Sequence, residues 1–182
     1  MKNLLAFILC VLCFIGANAQ IKEPSFIGEA VLVLPDSTTR KLDKEFAQYR
    51  SGISWSTNAW DATFLKIESG KANVRLPKGS TATFIVKAAD NESDPMSIIS
   101  IYKFNAKKNK RETMVHRSNA GTTGSSYNVT KNMLPFSGDR FGDKSYIIEL
   151  SNLEPGEYGI VVRNPNALDE KRTIVACFAV DK

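Results

Sequence analysis

Two tryptophans five positions apart, Trp55 and Trp60, give this chain its strongest means of molecular recognition. They stand in and just after residues 51–59, a run made mostly of Ser, Gly, Thr and Asn. Flat indole faces carried by a polar loop stack on sugar rings or anchor in a partner protein. Asp61, Asn58 and Ser56 would add directed hydrogen bonds. The competing use of the same residues is architectural, with one tryptophan closing the end of a β domain and the other half-buried. Trp55, Trp60 and Asp61 are therefore the ligand-binding candidates, and strands have to hold them in place.

Residues that perform chemistry in other proteins are poorly combined here. Asp90, Asn91, Glu92, Ser93 and Asp94 gather oxygen ligands of the kind calcium prefers, but the string lacks EF-hand spacing and its central glycine, so a solvated acidic turn is expected. Asp139 and Asp143 alternate with Arg140 and Lys144, which suits neither a metal nor the carboxylate pair of a glycosidase. The single histidine, His116, excludes a multi-histidine zinc site. It is also the base that Cys177 would need to become a nucleophile. Cys177 lies in an apolar run, residues 173–180, where a thiol behaves as a small hydrophobe. The densest basic cluster, residues 107–111, has no interleaved aromatics, so charge at a hairpin tip serves solubility and blocks edge pairing, and no nucleic-acid partner is expected. No phosphate loop, G-x-S-x-G elbow or H-E-x-x-H string is present. Catalytic residues, metal and cofactor are all expected to be none.

The cationic start at Lys2, the apolar run 4–15 and the small residues Ala17, Asn18 and Ala19 read as a secretory signal over residues 1–19. The run falls short of the ~20 residues that span a bilayer, so no stable membrane insertion is expected after its removal. Neither Cys10 nor Cys13 follows the small residue that a lipidation site wants. With Lys2 gone, 23 basic residues face 19 acidic ones, a mild net charge of +4. Cys177 is the one cysteine outside this segment, which leaves no internal disulfide in an exported domain. Residues 20–182 are long enough to bury ~70% of their unfolded surface as a single domain. Three short modification strings occur: the sequons at Asn91 and Asn128, and Asp36-Ser37-Thr38, which looks like an O-glycosylation motif of exported Bacteroidetes proteins.

Short runs of strand-forming residues recur along the chain: 29–34, 62–68, 72–76, 81–88, 97–104, 110–117 and 173–181, and 145–163 reads as two strands linked at 153–158. Residues 38–42 suggest a short return strand, and 43–49 fit helix or strand. Residues 118–126, SNAGTTGSS, form a loop, and 127–131 suggest one more strand. In the link 153–158, Pro155 and Gly156 fit the second and third positions of a type II turn, which would fold the two strands of 145–163 into a hairpin. The expectation is an all-β domain of nine or ten strands in two antiparallel sheets packed face to face.

Leu153-Glu154-Pro155-Gly156-Glu157-Tyr158 resembles the turn that enters a late strand of immunoglobulin-like and fibronectin type III sandwiches, whose tyrosine hydroxyl bonds to upstream backbone. Pro155, Gly156 and Tyr158 are thus a structural turn, and the resemblance implies an immunoglobulin-like or jelly-roll-like sandwich. Residues 101–104, 132–136, 155–158 and 177–181 resemble parts of an uncharacterised family of small exported domains of Bacteroidetes. That resemblance implies a periplasmic or extracellular setting and carries no activity with it. The function expected is a non-enzymatic module binding an envelope or extracellular protein or glycan. The alternatives are a hydrolase using Asp61, Asp139 or His116 in a loop-built cleft, and a structural subunit of an envelope assembly.

Overall fold

The computed structural model describes residues 21–54, 60–119 and 132–182, the side chains of 53, 54, 60, 61 and 117–119 excepted. Five strands form an antiparallel sheet in the order β2 (Thr39–Lys41), β1 (Ala30–Val33), β6 (Ala82–Lys87), β10 (Ser145–Leu150) and β9 (Ser137–Phe141). Six more pair in the order β11 (Gly156–Val162), β7 (Ile99–Lys107), β8 (Lys110–Asn119), β4 (Trp60–Ile67), β3 (Asp43–Ser54) and β12 (Arg172–Val180). β12 then pairs back onto β11, from Gly156↔Val180 to Val161↔Val175, so the row closes on itself. β5 (Arg75–Leu76) lies parallel to the end of β12, and one helical turn, α1 (Pro95–Ile98), precedes β7.

The all-β reading holds, but the plain two-sheet sandwich, immunoglobulin-like or jelly-roll, does not: a six-stranded barrel carries a second sheet on one side. The cause is in the residues of β11 and β12, which are buried on both faces almost throughout. Tyr158, Ile160, Val162, Ala176, Phe178 and Val180 pack with Phe84, Val86, Tyr146, Ile148 and Leu150 of the five-stranded sheet. Their alternates, Val161, Val175, Cys177 and Ala179, join Ala47, Leu65, Ile67 and Phe104 inside the barrel. Successive side chains of a strand point to opposite faces, so these two strands wall two cores at once.

Strands β10 and β11 are not a hairpin. They belong to different sheets, and the chain crosses between them at residues 151–155. Gly156 has φ 159° and begins β11, instead of taking the φ near +80° of a type II turn. The tyrosine of this turn acts as its sequence suggests: the Tyr158 hydroxyl donates to the Glu154 carbonyl at 2.7 Å, and its ring stacks on Phe178 with centroids 5.2 Å apart. One residue on, Gly159 faces the barrel interior. A Cβ there would lie 2.4 Å from Val175 and 2.8 Å from Phe104, so a side chain at this position would force its neighbours in the barrel to shift.

Candidate functional site

The two ends of the barrel differ in kind. At the base, where β8 starts, β11 starts and β12 ends, Arg111 is fully buried. Its guanidinium donates from Nη2 to Ser69 Oγ at 2.8 Å and from Nε to the Ser69 carbonyl at 3.1 Å. It also reaches Glu157 Oε2 at 3.3 Å and Glu45 Oε1 at 3.4 Å. Glu157 Oε2 accepts from the Ala72 amide at 2.7 Å, and Glu157 Oε1 pairs with Arg75 at 3.1 Å. Residues 68–74 thus run across the base and are tied to it by charge-assisted bonds. The turn of the β7–β8 hairpin, Lys108–Asn109, presses on this segment so closely that a Cβ on Gly70 would sit 2.3 Å from the Lys108 carbonyl. The base is shut.

At the other end the wall parts along two seams. β7 and β8 pair only from Asn105↔Glu112 to Lys107↔Lys110. Above that, β7 turns to residues 132–134, with the Lys103 amide donating to the Asn132 carbonyl and the Leu134 amide to the Ile101 carbonyl, both at 2.8 Å. β11 and β12 separate after Val161↔Val175, although β12 keeps β3 as partner down to Arg172↔Gln48. Between the parted ends lies an open groove of about 980 Å³. Tyr49 and Tyr102 reach it from the barrel side, and Phe46 and Ile174 from the outer wall. Arg163 and Arg172 line it at either end of the loop 164–171, which adds Asp169 and Glu170. Burial, and after it the neighbouring Tyr102, pushes the Tyr49 phenol above its ordinary range. It stays a neutral donor and acceptor at physiological pH.

Trp60 and Asp61 open β4 at this same end of the barrel, Trp60 in register with Ser54 and Asn119, and Asp61 with Ile53 and Ser118. Trp55 lies outside the described residues, as do residues 127–131 and the Asn128 sequon. The hydrolase set is divided: Asp61 and His116 stand on the adjacent barrel strands β4 and β8, whereas Asp139 is on β9, the edge of the other sheet. His116 is opposite Thr63 toward the mouth and Cys177 opposite Asp43 at the base, so the thiol and its one potential base are at opposite ends. Burial pushes the Cys177 thiol up to about 12, which keeps it protonated and unreactive.

The basic cluster 107–111 is mostly paired or buried, with Lys108 exposed at the turn. Lys107 and Lys110 both pair with Glu112, at 3.1 and 2.8 Å, and Arg111 is the buried bolt of the base. In the acidic string, Asp94 caps α1 through the Met96 amide at 2.8 Å, and Asn91 donates to the Gly142 and Ser145 carbonyls. Among the described residues no three His, Cys, Asp or Glu side chains are grouped to hold a metal ion.

Sequence reasoning missed Tyr49, Tyr102, Phe46, Arg163 and Arg172. Tyr102 was legible only as an alternate of a strand whose other face, Ile99 and Ile101, is apolar, and nothing local says that this alternate face lines a barrel mouth. No protein-family model matches the chain, and no curated protein matches it.

Proposed function

We propose that this is an exported, non-catalytic recognition module that takes an envelope or extracellular partner into the groove at the barrel mouth. The observation that carries the reading is the asymmetry of the barrel: one end is closed by buried ion pairs, while the other opens into a groove lined by Tyr49, Tyr102, Arg163 and Arg172 beside Asp169 and Glu170. Tyrosine and arginine are the side chains that recognition sites favour, because each offers a large rigid surface together with hydrogen-bonding capacity. The candidates Trp60 and Asp61 lie at the same end, so the loop first singled out for recognition and the groove would face one partner.

The test is a two-library screen of the purified protein, against a glycan array and against displayed linear peptides. Any ligand found should lose about tenfold or more in affinity, the equivalent of 1.4 kcal/mol, with Tyr102→Ala or Phe46→Ala, and little with Lys78→Ala on the β5 side. A ligand indifferent to both groove substitutions would place recognition elsewhere and sink the proposal.

A further inference from the structure

Of the four exposed large hydrophobics among the described residues, Phe26, Phe46, Met96 and Leu168, two line this groove, Phe46 and Leu168. Elsewhere the edges are protected in the ordinary way: β2 is Thr-Arg-Lys, fully exposed, and β9 carries Asp139 and Arg140. Exposed apolar side chains gathered along one opening mark an interaction surface.

Part of the backbone beside them also lacks a strand partner, although the Arg172 amide donates to the Asp169 carbonyl at 3.2 Å and the Ile174 carbonyl accepts from Thr173 Oγ1 at 3.4 Å. The Tyr49 amide donates to the Lys171 carbonyl at 2.8 Å. Because bonding direction alternates along an antiparallel ladder, Thr173 and Val175 also bond toward β3, and the Ile174 amide faces β11. The β11–β12 ladder ends at Val161↔Val175, so no Val162↔Ile174 pair follows it. An edge segment of β12, Arg172–Ile174, therefore borders the groove with β3 on one side and no strand on the other. Charge points the same way. Arg172 is held by Asp169 at 3.4 Å, whereas among the described residues no carboxylate lies within ion-pair distance of Arg163 at the other end of the loop.

We infer that the occupant of the groove is an extended peptide segment of a partner protein, which adds as a short strand beside β12, buries alternate apolar side chains against Phe46 and Leu168, and sets a carboxylate on Arg163. This rests on the recognition reading above and names its partner class. An extended chain brings backbone donors and acceptors at strand spacing to the Ile174 amide, which has no strand beside it, with side chains that project by turns into the groove and out of it. A sugar ring supplies neither periodicity.

A phage-displayed library of random linear dodecapeptides panned against the purified protein tests this directly. Peptides with alternating apolar residues and an acidic residue should be enriched. The best of them should lose about tenfold or more in affinity with Arg163→Glu, and again with the Phe46→Ser, Leu168→Ser double variant, both variants showing an unchanged denaturation midpoint. N-methylation of alternate peptide amides should abolish binding in one register and spare it in the other. Tolerance of N-methylation at every position overturns the strand mode. An array glycan that binds through Tyr102 and Phe46 while the peptide library yields nothing overturns the peptide class and leaves the groove as the recognition site. Peptides whose binding ignores every groove substitution overturn both.

Discussion

The base and the mouth of this barrel are made from the same six strands and are held by different means. At the base, the Arg111 guanidinium is buried among Glu157, Glu45 and Ser69, and each end of the network is fixed to backbone. A buried charge is tolerated only when its partners are in place, so the geometry of this end is specified closely. At the mouth, two ladders stop early, the side chains are tyrosines, arginines and exposed hydrophobics, and the wall is open. The difference shows how a small barrel separates stability from recognition: ionic closure at one end lets the other end leave its hydrogen-bonding edge and apolar surface unmet.

The comparison breaks first at Arg111. Arg111→Ala leaves Glu157 buried with Arg75 as its one remaining cation, and should cost about 3–5 kcal/mol in chemical denaturation. A loss below about 1 kcal/mol would mean that the base is as tolerant as the mouth. Gly159 comes next. Gly159→Ala drives a methyl into Val175 and Phe104 at the waist of the barrel and should cost about 1–3 kcal/mol. An unchanged midpoint would show that the wall gives way more easily than a closed barrel should.

Most strand positions and the Tyr158 bond to the Glu154 carbonyl were legible because each depends on neighbours a few residues away, whereas β9 and the end of β3 at 51–54 were not. Closure of the barrel was not, because it depends on the pairing of β11 with β12, with nine residues between them, and of β12 with β3 at the other end of the chain. One local sign was present. The unbroken apolar stretches in β11 and β12 do not alternate as strands of a half-solvated sheet would, and strands of that composition are covered on both faces. Arg111 shows the opposite limit. In a run of lysines it reads as one more surface cation, and only the register Ile67↔Arg111 turns it into the barrel.

Two smaller effects sharpen the contrast. Thr113 faces Leu65 between base and mouth, and its hydroxyl is buried without a hydrogen-bond partner. Thr113→Val removes that unmet group and should raise stability by about 1 kcal/mol, read as a higher denaturation midpoint. A loss instead would show that the hydroxyl is satisfied in solution. The second effect is pH-dependent. Glu23 accepts from the Lys87 ammonium, the Asp143 amide and Ser145 Oγ, and Lys87 above all holds its carboxyl near 2, well below the ordinary 4.5. Its contribution is complete above about pH 4.5 and is lost as pH falls toward 2. Because Ile27 and Gly28 just beyond it border the groove, acid should free residues 21–28 and weaken groove binding before the barrel unfolds. Limited proteolysis across that range checks the order, and Glu23→Gln should show the acid pattern already at neutral pH.

The smallest expected change is the most discriminating. Phe46 and Leu168 are exposed and make no part of either core. If the mouth is reserved for a partner, their apolar surface contributes nothing to the folded chain alone, and Phe46→Ser with Leu168→Ser should leave unfolding free energy within about 0.5 kcal/mol. Serine at the same positions should also lower self-association at high concentration, because a bordered apolar opening is the surface through which copies would meet. Urea denaturation and light scattering together read both effects. A large loss of stability would mean that these side chains pack the closed molecule, and the mouth would then be another part of the core that folds the barrel.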